Sequence, residues 1–247
     1  MTNYRLGILC PSSNTVLEPM TQRILSGADN IVPHFTRFKV TEIDMSQDTV
    51  AQFDNEVRIA ASELLSHAKV HVIGALVAPG GWVGFDADEE LCRGITERTG
   101  KPSTTSVLAV NELLRETGVK RYGLVSTYVA PVQEKIIANY AAIGLECVGE
   151  HHMGIADNFA FGQVTEDEIA EAARKVASTR PEAIMFYNTN LRSARVAVEL
   201  EREFNIPCYD LLSVGIWKCL QLAGADTSSI VGWGAFFGRQ SLNAVPA

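Results

Sequence analysis

Residues 5–13 of the sequence read RLGILCPSS, and residues 121–129 read RYGLVSTYV. Both segments begin with Arg-x-Gly, continue with apolar residues typical of a buried strand, and end in small polar residues typical of a loop. A second pair of segments, KVHVIGALVA around Ala75 and EAIMFYNTN before Thr189, follows in the same order. The repetition indicates that the chain consists of two structurally similar halves.

Around these segments, short apolar runs alternate with longer amphipathic stretches. This alternation is typical of parallel strands connected by helices. The predicted fold class is therefore α/β, with two lobes related by a pseudo-twofold axis, each a parallel sheet flanked by helices. We expect an N-terminal lobe over 1–115 and a C-terminal lobe over 116–247, with a C-terminal helix able to cross over from the other half. Helix boundaries are marked by a capping box at Thr165 and by glycines such as Gly100 and Gly118.

The repeat also predicts where a ligand binds. Ligands of open parallel sheets bind beyond the carboxyl ends of the strands. Two similar lobes bring these ends face to face, so the site is expected in the cleft between them, at the loops after residues 10, 77, 127 and 188. The segment PGGWVGF (79–85) has glycines but no phosphate-loop pattern, and it is predicted to be a wall or lid of the cleft with Trp82 and Phe85 on its inner face.

Composition excludes several classes of partner. The chain has 247 residues, 47% hydrophobic and 20% charged, with a formal net charge of −8. An acidic surface disfavours nucleic acid and anionic membranes. No apolar stretch approaches the ~20 residues of a membrane span, and the start of the sequence lacks a signal-peptide pattern, so the predicted location is cytoplasmic. Five cysteines without CxxC spacing predict reduced thiols and no metal site.

Three further segments carry a family resemblance. GILCPSSNTVLEP (7–19), LVSTYVAPVQEKI (124–136) and GIADNFAFGQVTEDEI (154–169) are similar, in this order, to the maleate isomerase and arylmalonate decarboxylase branch of the aspartate/glutamate racemase superfamily. The resemblance covers nearly the whole chain. It implies the pseudo-twofold fold already indicated by the repeat, a small carboxylic-acid substrate, no metal or organic cofactor, and a homo-oligomer.

The resemblance also implies a set of substrate-binding residues. Asn14 matches an asparagine that hydrogen-bonds a substrate carboxylate, Tyr128 matches a tyrosine that contacts the same acid and is also a catalytic candidate, and Asn158 matches a further substrate-binding asparagine. Amide and hydroxyl donors of this kind can stabilise a carboxylate or the enediolate derived from it. The full predicted binding set adds four residues of the same loops, which are Ser12, Val77, Thr127 and Asn190. The alternative interpretation is that Asn14 is a helix cap, Tyr128 a half-buried aromatic residue and Asn158 a turn residue.

The sequence departs from the family at its cysteines. The resemblance implies two catalytic cysteines, one from each lobe, and places them at Ala75 and Thr189, neither of which is a thiol. Arylmalonate decarboxylases keep the second of the two. Threonine ionises too weakly to replace a thiolate. Cys10, at the end of the first predicted strand, is the thiol expected nearest the cleft, unless it is a small buried hydrophobic residue.

These observations predict a cofactor-independent enzyme, similar to maleate isomerase, that acts on a small dicarboxylate or unsaturated acid through an enediolate-type intermediate. The alternatives are an arylmalonate-type decarboxylase, a hydratase, or a non-catalytic carboxylate-binding protein. Missing thiols weaken isomerisation most, because that reaction depends on them. The apolar segment IVGWGAFFG (230–238) is expected to contribute to a subunit interface.

Overall fold

The computed structural model describes residues 3–238, which contain two parallel sheets of four strands each. The first sheet is formed by β1 (Tyr4–Pro11), β2 (Ile31–Phe38), β3 (Val72–Ala75) and β4 (Ser103–Thr105) in the order β2-β1-β3-β4. The second is formed by β5 (Arg121–Ser126), β6 (Glu146–His152), β7 (Ala183–Phe186) and β8 (Cys208–Asp210) in the order β6-β5-β7-β8. The predicted α/β class with two similar sheets is confirmed.

Helices connect the strands and cover the sheets. They are α1 (Leu17–Ile24), α2 (Gln47–Ala51), α3 (Asn55–Ser66), α4 (Gly80–Val83), α5 (Phe85–Thr99), α6 (Ser106–Thr117), α7 (Ala130–Ala142), α8 (Asn158–Phe161), α9 (Glu166–Ala177), α10 (Ser193–Phe204) and α11 (Leu211–Leu222). No helix among residues 3–238 is both long enough and apolar enough to cross a membrane.

Local sequence explains several helix ends. The hydroxyl oxygen of Thr165 accepts a hydrogen bond from the backbone N–H of Glu168, and the Glu168 carboxylate accepts one from the backbone N–H of Thr165. Helix α9 therefore begins with the predicted capping box. Helices α5 and α6 end at Gly100 and Gly118, whose φ angles of 67° and 72° lie in the left-handed region that glycine adopts without strain.

The strand registers relate the two sheets residue by residue. Leu6 of β1 pairs with Val72 of β3, and Tyr122 of β5 pairs with Ala183 of β7. Because Leu6 and Tyr122 occupy the same place in the sequence repeat, Val72 corresponds to Ala183. Five residues after Val72 and Ala183, Val77 and Asn188 therefore occupy equivalent positions in the two halves.

Helix α11 joins the halves. It packs against α6, β3 and β4 as well as against β8, the strand before it. Its residues are apolar and buried on nearly all sides, so the helix lies within the core rather than on it. The segment 230–238 follows, and Phe236 and Phe237 are buried, with the Phe236 ring against Trp217 of α11. These two aromatic side chains therefore pack within the chain instead of forming an exposed interface as expected, whereas Val231 is exposed.

Candidate active site

A narrow cavity lies between the lobes, at the carboxyl ends of the central strands. It is lined by residues that follow β1, β3, β5 and β7 together with side chains from the connections beside them, namely Pro11, Ile43, Phe53, Val77, Ala78, Pro79, Trp82, Tyr128, Asn158, Asn188 and Thr189. The space open to water is about 10 Å³, which is roughly one water molecule. A bound acid therefore requires part of the wall to move.

The two lobes contribute different chemistry to this cavity. The first lobe supplies apolar groups, among them Val77 after β3 and Trp82 of α4, whose indole packs edge-on against the ring of Phe53. The second lobe supplies uncharged polar groups, which are Tyr128, Asn158, Asn188 and Thr189. No lysine, arginine or histidine is among the lining residues within the described part of the chain. Any anion here would be stabilised by dipoles and not by a cation.

Asn14 lies directly beside this cavity. Its side-chain oxygen accepts from the backbone N–H groups of Val16 (3.0 Å) and Leu17 (2.9 Å) at the start of α1. Its amide nitrogen lies 3.5 Å from the hydroxyl of Thr189, which lines the cavity. The helix-cap role is therefore present, and it orients the amide nitrogen toward the second lobe.

Asn188 is held in one orientation by two hydrogen bonds. Its side-chain oxygen accepts from the backbone N–H of Asn190 at 2.7 Å, and its amide nitrogen donates to the hydroxyl of Thr127 at 2.7 Å. Thr127 is fully buried and does not line the cavity. Its effect on the site runs through Asn188, which keeps a second amide hydrogen for a ligand.

Asn190 connects three loops through both ends of its amide group. Its side-chain oxygen accepts from the backbone of Thr15 (3.0 Å) and Val16 (3.2 Å), and its amide nitrogen donates to the carbonyl of Asn158 at 2.5 Å. Asn158 in turn donates to the hydroxyl of Ser13 at 2.6 Å. The network joins the loop after β1 to the second lobe and holds Asn158 at the cavity wall.

Tyr128 presents a hydroxyl without a partner at the wall of the cavity. Its ring meets Phe161 edge-on at 5.7 Å, and its hydroxyl forms no hydrogen bond within residues 3–238. Burial raises the pKa of the phenol well above its ordinary value, so the hydroxyl stays protonated at neutral pH. It is a donor available to a ligand in the cavity.

The model of the arylmalonate decarboxylase family matches residues 18–237. The chain belongs to this family.

Individual relatives of the family include both of its named activities. The chain is 28% identical over 143 residues to the arylmalonate decarboxylase of Bordetella bronchiseptica, an alignment that spans 57% of this chain and 60% of that enzyme. It is 26% identical over 229 residues to the maleate isomerase of Nocardia farcinica, spanning 88% and 89% of the two chains. Since the relatives are decarboxylases and isomerases, the chain is an enzyme of this kind.

Solved structures of the same enzymes share the fold. A mutant of the Nocardia farcinica isomerase carrying a covalently bound succinylcysteine intermediate superposes with a TM-score of 0.86 at 23% identity, covering 96% of this chain and 99% of that one. A liganded double mutant of arylmalonate decarboxylase superposes with a TM-score of 0.83 at 20% identity, with the same coverage. The architecture of the arylmalonate decarboxylase family is thus present over nearly the whole chain.

Within this family fold, the expected equivalence of Ala75 and Thr189 is wrong. Ala75 is a fully buried residue of β3 that pairs with Leu9 and Thr105, it does not line the cavity, and it corresponds to Phe186. Thr189 does line the cavity but corresponds to Ala78. The equivalent pair at the cavity is Val77 and Asn188. The signal was available, because VIGALVA aligns with AIMFYNT without a gap.

Other expected site residues lie elsewhere. Cys10 is fully buried, its thiol donates to the carbonyl of Pro11 at 3.4 Å, and burial raises its pKa to about 12, so it is not a thiolate at neutral pH. Ser12 is exposed and its hydroxyl pairs with the backbone of Val40. Phe85 packs against Tyr140 and does not line the cavity, so only Trp82 contributes the apolar inner face expected of this segment.

Among residues 3–238, no three His, Cys, Asp or Glu side chains lie close enough together to hold an ion. The prediction that the enzyme works without a metal stays a prediction, and elemental analysis of the purified protein would test it.

Proposed function

We propose that the cavity is the active site of a cofactor-independent decarboxylase for a malonate-type acid that carries an apolar substituent. The observation that carries the proposal is the division of the cavity into an apolar wall from the first lobe and an uncharged polar wall from the second. Such a division can distinguish two carboxylates attached to the same carbon.

The two carboxylates would have opposite environments. One would accept hydrogen bonds from Tyr128, Asn158 and Asn188, while the other would lie against the side chain of Val77 and the ring of Trp82, where it loses solvation. Breaking the bond to the second carboxylate releases CO₂ and leaves its electron pair as an enediolate on the first. Because the charge on the retained carboxylate grows in this step, the same donors stabilise the transition state more than the substrate.

A proton must then reach the α-carbon. Of the side chains that line the cavity, Tyr128 carries the most acidic proton. An enediolate is a much stronger base than a phenolate, so transfer from the Tyr128 hydroxyl to the α-carbon is favourable even with a raised phenol pKa. The bond from hydrogen to the phenol oxygen breaks, the bond from hydrogen to the α-carbon forms, and the phenolate recovers its proton from solvent.

Isomerisation of an unsaturated acid has less support in this cavity. That reaction requires a nucleophile that adds to the double bond. The equivalent positions Val77 and Asn188 provide none, and Cys10 is both buried and protonated. The relatives named maleate isomerase therefore share the fold of this chain without establishing its reaction.

The broader expectations are carried forward as proposals. A small carboxylic acid is the proposed substrate, and a homo-oligomer located in the cytoplasm is the proposed state of the enzyme. Size-exclusion chromatography with light scattering would test the oligomer.

Nuclear magnetic resonance in deuterated water tests the reaction. The purified enzyme would be incubated with phenyl- and alkyl-substituted malonates, maleate and small enoates. We expect conversion of a substituted malonate to the monoacid with one deuterium at the α-carbon. Formation of fumarate from maleate, or of a hydroxy acid from an enoate, would replace this proposal with isomerase or hydratase activity. Binding of the malonates without turnover would indicate a non-catalytic protein.

A further inference from the structure

Helix α4 approaches both lobes through two adjacent glycines. A side chain on Gly80 would collide with the carboxylate of Asp88, and one on Gly81 would collide with the hydroxyl of Tyr187 in the second lobe. Asn139 of α7 also donates to the carbonyl of Gly81 at 2.9 Å. The next residue is Trp82, so the contacts of these glycines determine where the apolar wall of the cavity lies.

Asp88 is fully buried beside this helix. The hydroxyl of Thr105 donates to one carboxylate oxygen at 2.6 Å, and a guanidinium nitrogen of Arg58 lies 3.8 Å from the other. That second oxygen accepts no hydrogen bond, and two nitrogens of Arg58 donate none, within the described residues. Arg58 itself is only 1% exposed.

An ion pair of this kind is expensive to bury. Desolvation costs several kcal/mol per ion, and long, incompletely satisfied pairs recover only part of it, so apolar residues would serve stability at least as well. Burial raises the pKa of Asp88 to about 6 and lowers that of Arg58, so desolvation outweighs mutual attraction on both partners. The stability of the packing between α3 and α5 therefore does not explain why this ion pair is buried there.

We propose that Asp88 is a positioning residue that, together with Arg58 and Thr105, anchors the glycine pair of α4 and thereby holds Trp82 against the candidate active site. The inference rests on the proposed function only in taking this cavity as the site. Asp88 acts through Trp82 and touches no ligand itself. Because the cavity has room for about one water, release of this anchor is the movement that opens the wall on the first-lobe side.

Hydrogen exchange of α4, measured by mass spectrometry, tests the anchor without any substrate. The relevant amides are those of Trp82, Val83 and Gly84, which bond back to Pro79 and Gly80. In Asp88→Asn we expect exchange of these amides to be about tenfold faster than in the wild type, since the buried Arg58 loses its counter-ion and the side chain that packs against Gly80 is rearranged. The matched control is Asp86→Asn, an exposed substitution two residues earlier on the same helix, which should leave the exchange rate unchanged.

A second variant covers the case in which Asp88→Asn does not fold because Arg58 is left unpaired. The double variant Arg58→Met with Asp88→Asn removes both buried charges and is expected to keep the folded state. It should still show faster exchange at α4. Wild-type exchange at α4 in this folded double variant would overturn the proposal.

The pH dependence separates positioning from a general structural role. The charged or titratable groups facing Asp88 are Arg58 of α3, Cys92 of its own helix, Tyr140 of α7 and Tyr187 after β7. Of Asp88 and the four groups that face it, only Asp88 has a pKa near 6. Because burial raises the pKa of Asp88, the closed state binds its proton more tightly than an open state in which the carboxylate meets water. Corrected for intrinsic rates, exchange at α4 should therefore slow in the wild type between pH 7 and about pH 5 and stay level in Asp88→Asn. A level profile in the wild type would contradict the anchor, whatever the activity screen shows.

Once a substrate is identified, kinetics provide a further reading. A positioning role predicts that Asp88→Asn lowers kcat roughly tenfold or more while KM changes little, because the wall is needed most in the transition state. An increase of KM alone would contradict a positioning role, and absence of turnover in the wild type would count against the proposed function and not against the anchor.

Discussion

Asn14 uses the two ends of its amide group for different purposes. The oxygen caps α1 while the nitrogen faces Thr189 across the lobe boundary. Sequence alone left the cap and the ligand interpretations open, because the same residue types favour both. The cap uses the amide oxygen, so the ligand role, which stays a prediction, would use the amide nitrogen beside Thr189.

Substitution at Asn14 can separate these roles. Asn14→Asp keeps an oxygen for the backbone of Val16 and Leu17 but replaces the donor with a charge that repels a carboxylate. We expect stability to stay within about 0.5 kcal/mol and ligand binding to weaken roughly 10- to 1000-fold. Asn14→Ala should lose about 1 kcal/mol of stability as well. Urea unfolding and calorimetric binding of a substituted malonate measure both, and wild-type affinity in Asn14→Asp would remove Asn14 from the site.

The hydroxyl of Tyr128 can be removed with little effect on folding. It has no hydrogen-bond partner within residues 3–238, so Tyr128→Phe leaves no orphaned group. We expect kcat to fall roughly 100-fold or more if this hydroxyl donates the proton, with a smaller change in KM. The control is Tyr140→Phe, which removes a hydroxyl bonded to Asn111 and Tyr187 and should reduce stability instead. Unchanged turnover in Tyr128→Phe would exclude it as the donor.

Restoring thiols tests the residue equivalence read from the strand registers. Asn188→Cys should raise decarboxylation, because a thiol is a better proton donor than a buried phenol. Val77→Cys combined with Asn188→Cys should create maleate isomerisation, with one sulfur adding to the double bond and the other managing the proton. The matched control is Ala75→Cys with Thr189→Cys, the pair expected from sequence, which should create none. Isomerisation in the control alone would show that the registers mislead.

The error at Ala75 has a physical origin. The repeat is inferred from the pattern of residue types. The apolar residues of β3 continue beyond the strand through Val77, so the sequence does not show where this strand ends. In the second half the chain turns polar at Asn188, immediately after the strand. Only the register of β1 with β3 and of β5 with β7 shows which residues of the two halves occupy equivalent positions at the cavity.

Among the helices, those whose signals lie close together in the sequence can be predicted from it, whereas those that depend on contacts with distant residues cannot. Helix α9 could be predicted because its signals lie within one turn, from Thr165 to Glu168. The sequence predicts a C-terminal helix that crosses over between the halves, but it does not mark the bounds of α11, because this helix is apolar all round and has no periodic polar face. The sequence predicts a wall or lid over 79–85 but no helix there, because the glycines of α4 are poor helix formers and the helix packs against residues distant in the sequence.

The start of α11 offers an element-level test. The Asp210 carboxylate accepts from the backbone and hydroxyl of Ser213 at 2.8 and 2.7 Å and from the hydroxyl of Ser193 at 2.5 Å, so it caps α11 and ties it to α10. We expect Asp210→Ala to cost about 2–3 kcal/mol, since it strands buried donors. Asp210→Asn keeps the acceptor for Ser213 and should cost far less. Equal losses in the two variants, measured by urea unfolding, would contradict the cap.

The same pair of variants carries a pH dependence. Burial raises the pKa of Asp210 above 3.8, so the folded state binds its proton more tightly than the unfolded state. Its contribution to stability therefore grows as the pH falls from the raised pKa toward 3.8, and it declines as the pH rises. In Asp210→Asn this contribution is absent, so the stability difference between wild type and variant should shift in favour of the wild type on acidification. A difference independent of pH would contradict the raised pKa.

At the scale of the whole molecule, the second sheet joins the lobes through one of its faces. Along β7, Ile184 and Phe186 belong to a core shared with α9 and α10, while Met185 and the following Tyr187 belong to the core that contains the first sheet and α11. This is the two-residue alternation of a strand with both faces buried. The lobes therefore share apolar surface beyond the cavity.

This shared core predicts that both lobes unfold together. We expect a single urea transition in which amides of β3 and of β7 become exposed at the same midpoint, because neither sheet keeps a closed core without the other and without α11. Trp217→Ala, a truncation in α11, should lower the stability of both sheets equally, by about 3–5 kcal/mol. Leu200→Ala in α10, on the opposite face of the second sheet, is the comparison and should also lower both midpoints together, although it lies far from β3. Two separated transitions, or a Trp217→Ala effect confined to one sheet, would show that the lobes are independent units and that the cavity is a contact between two domains instead of part of one core.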